Sequence, residues 1–388
     1  MSKRILLIAD LDNLYVKRYA ERVLLPDGWE IVIFPIWEQT GKFDEWFRDN
    51  GVIVYRDTHT LPGIRRIPRV RVWARIRANA KSLAALGPFD AIHNHYLSPR
   101  DLALGQALKK RFPNADWICS FWGSDLLRAS ASQLRRMKAP LTRCDRITVI
   151  TEPNVEPVLK AFGSACEKKT TVCWFGVDLF DDMDALRTTA DKGMCKEHFG
   201  MPPQSPLICL GYNASAPHRH LEMLQALQAL PAALLKDWSV VLQMTYGNTD
   251  AAYFAAVREA AAKLPCRTLV LTEFMNGLES AYLRLAADAF VLAMPTDAFS
   301  SSLLEYLYAG AHVLCGEWLP YPQLEAMEIP VVRFPSITAF PPLLAEALKQ
   351  PLSTAEMAKR QALRSKYAWS GVLSAWKSLY RPRIPAEH

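Results

Sequence analysis

Residues 289–315 read AFVLAMPTDAFSSSLLEYLYAGAHVLC, and the fold is decided in this stretch. Residues 290–294 form an apolar run of strand length, Pro295 stops it, and Ser300, Ser301 and Ser302 open a segment with helical spacing at 303–309. A strand, a tight loop and a helix start thus follow one another. A helix start presents backbone N–H groups and the positive end of a dipole, and three small hydroxyl residues let a phosphate come close. Asp297 and Glu305 flank that seat. They would repel phosphate, and suit the hydroxyls of ribose and of an attached sugar instead. A plain βα unit with a serine cap and a solvated glutamate accounts for the same residues.

The same alternation surrounds the stretch. In the second half, strand-like runs at 207–210, 239–244, 268–272 and 331–334 are separated by helical patterns. The loops after them carry Gly211, Asn213 and Ser215, then Thr245, then Glu273 and Phe274, all candidate donor-binding residues. In the first half, runs at 5–9, 29–37, 52–55, 89–93, 116–121, 145–150 and 171–174 read as strands. The expected fold is α/β: two Rossmann-like, doubly wound domains facing across a ligand cleft at the carboxyl ends of the strands. The polar segment 176–203 reads as a linker plus a short helix. The expected domains are residues 1–182 and 183–362, with a tail, 363–388, returning to the first. The span 357–380 reads as helical.

The 388 residues exceed one ordinary core, and half are hydrophobic. The net charge of +7 is clustered: no acid occurs between Asp57 and Asp90, where Arg65, Arg66, Arg69, Arg71, Arg75, Arg77 and Lys81 all fall. With apolar residues interleaved, the 65–81 region is expected to meet an anionic membrane surface, and Pro62 and Pro68 confine any helix there to about Arg69 onward. No nucleic-acid motif accompanies it, and a solvated basic face reads the same. Eight scattered cysteines without metal-ligand spacing suit a reducing cytoplasm. The first apolar run is too short for a signal peptide, and no segment is long enough to span a bilayer.

Candidate catalytic residues sit in the loops of the first half. Asp12 follows the first strand, with a turn residue as the alternative. His93 and His95 end the fourth strand. One of them is expected to face the core, with His95 in the cleft. In Trp122-Gly123-Ser124-Asp125, glycine permits a close turn that presents Asp125, which serves equally as a helix cap. There is no GxGxxG, no Walker sequence and no convincing metal set, so chemistry without an obligatory metal or cofactor is expected, with a helix dipole steadying a leaving diphosphate.

The chain resembles the GT-B glycosyltransferases in DAIHNHYLSPRDLAL (90–104), ICSFWGSDLL (118–127), CDRITVITEPNVEPVLKAFG (144–163), VCWFGVDLF (172–180), LICLGYNAS (207–215), DAFSSSLLE (297–305) and YAWSGVLSAWKSLY (367–380). Asp297-x7-Glu305 stands where the large retaining family has Glu-x7-Glu. That resemblance implies Glu305 on the nucleotide ribose, Asp297 on the donor sugar, and Ser301 and Ser302 on the diphosphate. Trp122 replaces the usual histidine, and the usual Arg/Lys pair after Gly211 is missing. In both respects, and in VVLQMTYGNTDAAYFAAV (240–257), the chain is similar to the Fuc4NAc (4-acetamido-4,6-dideoxygalactose) transferases of enterobacterial common antigen assembly, which use a dTDP-sugar and a lipid-linked acceptor. The resemblance implies sugar transfer from a dTDP or UDP donor to a lipid-linked or surface glycan, by a protein peripheral to the cytoplasmic membrane. An inverting reaction would need a base, Asp125 or Asp12. A non-catalytic nucleotide-sugar or glycan binding protein, or a sugar-phosphate isomerase or epimerase, is the alternative.

Overall fold

A computed structural model describes residues 3–35, 40–57, 68–247 and 250–380, with only the backbone described for Pro68 and Arg69. The chain divides into two compact units, one running to Gly176 and resuming at Trp369, the other spanning Val177–Ala368.

The first unit holds seven strands: β1 (Lys3–Ala9), β2 (Trp29–Pro35), β3 (Ile53–Val54), β4 (Ala91–His95), β5 (Asp116–Ser120), β6 (Arg146–Val149) and β7 (Thr170–Val172). All pair in parallel, in the order β3-β2-β1-β4-β5-β6-β7. Helices cover both faces of a parallel sheet, which is why β1 can be a continuous apolar run rather than an alternating one. Strand order reverses between β1 and β4, and the loops above that point are where a ligand site forms.

The second unit has β8 (Leu207–Leu210), β9 (Ser239–Gln243), β10 (Arg267–Leu271), β11 (Ala289–Leu292), β12 (His312–Gly316) and β13 (Val332–Phe334), again all parallel, in the order β10-β9-β8-β11-β12-β13. The doubly wound expectation holds in both units. Here the reversal lies between β8 and β11, so the opening stretch enters at the switch point.

Two expectations need correction. The segment read as a linker plus a short helix holds two packed helices, Leu179–Arg187 and Lys192–His198. Leu179, Phe180, Met183 and Leu186 are buried at helical steps, and the acids that made it look like a linker are paired: Arg364 reaches Asp181 and Asp184, and Tyr308 Oη donates to Asp184. The tail is not one helix either. Thr354–Tyr367 ends at Ala368, whose extended backbone (ψ 162°) passes the chain from the second unit to the first, where Trp369–Ser378 begins.

In the basic region a helix spans Pro68–Ala84, with proline at its start, where a missing N–H costs nothing. Ile76, Ala80 and Leu83 are buried, whereas Val70, Val72 and Trp73 are 49%, 44% and 59% exposed beside exposed Arg71, Arg77 and Lys81. Arg75 is turned to Asp57, 2.6 Å away. Arg65 and Arg66 lie outside the described residues, as does the side chain of Arg69.

Candidate functional site

In the second unit the candidate donor residues gather on the loops after β8, β9, β10 and β11, which are neighbours in the sheet. Gly211 follows β8 with φ +67°, and a Cβ there would come within 2.8 Å of His220 Nε2, so glycine is required twice over. Asn213 Oδ1 accepts from Ser215 N (2.8 Å) and Ser215 Oγ (2.6 Å), closing the loop on itself. Gly247, φ +97°, lies against it: a Cβ there would meet Ser215 Oγ at 2.9 Å. The turn holding Thr245 is therefore seated on the loop of Asn213 and Ser215. Glu273 and Phe274 are exposed beyond β10, the edge strand, Phe274 by 62%.

The opening stretch is braced more heavily than its sequence suggests. Phe299 adopts φ +68°, and Asp297 Oδ2 accepts from both Ser300 N and Tyr321 Oη at 2.9 Å. Burial raises the Asp297 carboxyl above its ordinary value, against those two donors. Ser300 caps the helix Ser301–Ala309 without a side-chain bond to its backbone. Ser302 is turned inward, where Arg284 Nη2 approaches its Oγ at 3.4 Å, while Ser301 stays half-buried at the first position of the helix. Glu305 Oε2 takes the Nε of Arg284 at 3.0 Å, leaving Oε1 without a partner among the described residues.

In the first unit, Asp12, His95 and Asp125 lie at the carboxyl ends of β1, β4 and β5, adjacent in the sheet. Asp12 holds the next loop, taking Thr40 N and Thr40 Oγ1 on Oδ2 and Lys42 N on Oδ1. Asp125 accepts Leu97 N at 2.7 Å and Trp122 N at 2.9 Å, one on each oxygen, so it ties its own loop to the end of β4 and does not serve as the helix cap, which is Gly123. Burial pushes it up to about 7, with the backbone N–H donors opposing.

The expectation that His93 and His95 divide between core and cleft is wrong, because residues two apart on a strand share a face. Their ring centres lie 3.9 Å apart and both are buried. His93 is fully engaged, by Tyr19 Oη and Tyr380 Oη at Nδ1 and by Ser120 Oγ at Nε2. Trp122 Nε1 donates to His95 Nδ1 at 3.4 Å, which puts the proton on Nε2, buried and without a partner among the described residues. Burial lowers His95 to about 3, so it is neutral.

No family model matches the chain, and no curated protein does. Solved structures do. A glycosyltransferase from Rickettsia africae superposes with a TM-score of 0.75 at 15% identity, covering 98% of each chain. Anabaena HepE, in complex with UDP and glucose, gives 0.70 at 14%, over 96% of this chain and 98% of that one. A sucrose-phosphate synthase from Thermosynechococcus elongatus gives 0.69 at 17%, over 97% and 98%. The fold is that of the GT-B glycosyltransferases.

Within this GT-B chain, sequence reasoning missed Arg284. It is 3% exposed, stacks on Tyr306 with its guanidinium 4.3 Å from the ring centre, and donates to Gln243 Oε1 (2.9 Å), Tyr306 Oη (3.0 Å) and Glu305. One side chain thus ties the end of β9 to the helix after β11. A signal existed: Arg284 in AYLRLAA and Glu305 in LLEYLY are each the lone charge of an apolar run, and such a charge needs an opposite one. Among the described residues no three His, Cys, Asp or Glu are grouped so as to hold a metal ion, and no helix is long and apolar enough to cross a membrane.

Proposed function

We propose that this protein transfers a sugar from a nucleoside diphosphate donor, dTDP- or UDP-linked, to a lipid-linked or surface glycan acceptor. The second unit takes the donor and the first the acceptor. The observation that carries the reading is Glu305: Arg284 fixes one carboxylate oxygen and leaves the other for a ribose hydroxyl, at the switch point of the sheet. The UDP and glucose in HepE support a nucleoside diphosphate hexose as donor, and the WGSD loop supports a deoxy or amino-deoxy sugar. The helix start at Ser301 and Ser302 meets the diphosphate through its backbone, the Ser302 hydroxyl being turned inward, the loops of Gly211, Asn213, Ser215 and Thr245 flank it, and Phe274 offers a face to the base. Asp297 supports the loop that carries the serines. If the product anomer is inverted, Asp125 is the base, since a carboxyl held near neutrality suits that task; Asp12 and His95 complete the acceptor side.

The test is release of nucleoside diphosphate from a panel of UDP- and dTDP-sugars in the presence of glycan acceptors, with the product anomer read by NMR. Glu305→Gln, which keeps an oxygen for Arg284, is expected to lower kcat/KM for the donor about 10–100-fold, the worth of a hydrogen bond to a charged group. Asp125→Asn is expected to lower kcat about 10²–10⁴-fold with donor KM unchanged. Binding of donors without release by any of them would overturn the enzyme reading, and full turnover by the asparagine variant would remove the base.

The exposed Val70, Val72 and Trp73 beside Arg71, Arg77 and Lys81 support contact with an anionic membrane surface. Vesicles containing phosphatidylglycerol are expected to sediment the protein, at about 1 kcal/mol per basic residue at the surface. The variant Arg71→Glu/Arg77→Glu/Lys81→Glu is expected to stay in the supernatant; its unchanged sedimentation would defeat the idea.

A further inference from the structure

A pocket of about 580 Å³ opens in the second unit at the end of the sheet opposite the donor loops. Pro206, Asp288 and His312, at the amino ends of β8, β11 and β12, form its floor. Lys192 and Lys196 stand one turn apart on the helix Lys192–His198, and both grip Asp288, at 3.0 Å on Oδ1 and 2.7 Å on Oδ2. Asp288 also accepts Leu207 N, so the carboxylate is fixed. One carboxylate against two ammonium groups leaves positive charge over. Lys349 adds more from the rim, where its pair with Glu346 is solvent-exposed and weak.

A second observation points the same way. Arg360, one turn beyond the pocket-lining Met357, is 2% exposed and gives Nη1 to Ala311 O, next to His312. Its Nε is buried without a hydrogen-bond partner, and no carboxylate lies within ion-pair distance of it among the described residues. A guanidinium taken out of water without a counter-ion is costly. Among the described residues, the lining cations Lys192, Lys196 and Lys349, with Arg360 behind the lining His312, are met by Asp288 and the outlying Glu346 and Glu356.

We propose that this pocket is a second ligand site, separate from the donor loops, and that it binds a small phosphorylated anion. The volume suits a small molecule, and mobile lysine ammonium groups converging from two sides suit a phosphate more than a planar carboxylate. Lys349, at 68% side-chain exposure, is the residue free to turn to it, and Lys192, at 41%, reaches it with its remaining N–H while bonded to Asp288 and Ala287 O; Lys196 and Asp288 hold the wall.

Inorganic phosphate is the probe. In phosphate against chloride at equal ionic strength, the full chain is expected to melt about 2–4 °C higher. In Lys192→Gln/Lys349→Gln, most of that rise should vanish while the melting temperature in chloride stays close to the parent's. Phosphate bound at the donor loops would raise both proteins alike, and the comparison uses no transfer activity, so it stands apart from the glycosyltransfer reading. Equal shifts in the two proteins, or none in the parent, would overturn the site. Should the double variant fold poorly, Lys349→Gln alone, at an exposed position, should still lose part of the shift, and an undiminished shift there counts equally against it.

Discussion

Arg284→Met is expected to destabilise the second unit by about 3 kcal/mol, because it leaves Glu305, only 12% exposed, without its cation. Methionine restores much of the apolar volume, so the loss isolates charge and hydrogen bonding rather than a cavity. Four acceptors lose their donor together: Glu305 Oε2, Gln243 Oε1, Tyr306 Oη and Ser302 Oγ. Urea denaturation followed by circular dichroism measures the change, and hydrogen exchange should place it in β9 and the helix Ser301–Ala309, with β1 in the first unit keeping its protection. The double variant Arg284→Met/Glu305→Leu removes both charges and is expected to recover a large part of the stability, since a buried pair exchanged for apolar residues is often neutral. It should nevertheless fail in donor turnover. A change below about 1 kcal/mol in Arg284→Met would show that Glu305 is hydrated and that the pair contributes little.

That pair also marks where the sequence stops being legible. The strands are readable because a parallel sheet buries both faces, which forces unbroken apolar runs such as Ile5–Leu6–Leu7–Ile8 and Phe290–Val291–Leu292. Loop residues are readable because glycine and small hydroxyls carry conformational meaning, as Gly211 and Gly123 do with φ +67° and +99°. Partnership over distance is not. Arg284 and Glu305 are 21 positions apart, and Asp181 meets Arg364 across 183. Asp184 has a local cation in Arg187, but Asp181 looked like part of a linker because its cation, Arg364, lay far downstream. Asp125 illustrates the same limit: Gly123 announces the turn, but nothing local says that Leu97 N, from the neighbouring strand's loop, fills one oxygen.

The tail gives the other large effect. Trp376 is fully buried in the first unit, with ring centres 4.9 Å from both Tyr19 and Phe175 and 6.3 Å from both His93 and His95, and its Nε1 donates to Trp174 O at 2.7 Å. Trp376→Ala is expected to cost about 3–5 kcal/mol, the range for emptying a site of that size. The consequence should be local before it is global. The helix Trp369–Ser378 and the two residues after it are otherwise held by buried Trp369, Val372 and Leu379, by Tyr380, whose Oη meets His93 Nδ1 at 2.9 Å, and by the partly exposed pair of Lys377 with Asp27, none of which fills the space of the Trp376 ring. Limited proteolysis should therefore cut near Ala368, where the two tail helices part, well before it cuts elsewhere. Because the ring packs beside His93 and His95, the same substitution opens the buried Nε2 of His95 to water and should lower transfer without changing donor binding, which the proposed function assigns to the other unit. Trp376→Phe keeps the packing but loses the bond to Trp174 O, so about 1 kcal/mol is the expected cost. Equal losses in the two variants would assign the tail's attachment to the hydrogen bond, and resistance of Trp376→Ala to cleavage would show that Tyr380 and Lys377 suffice to hold the helix in place.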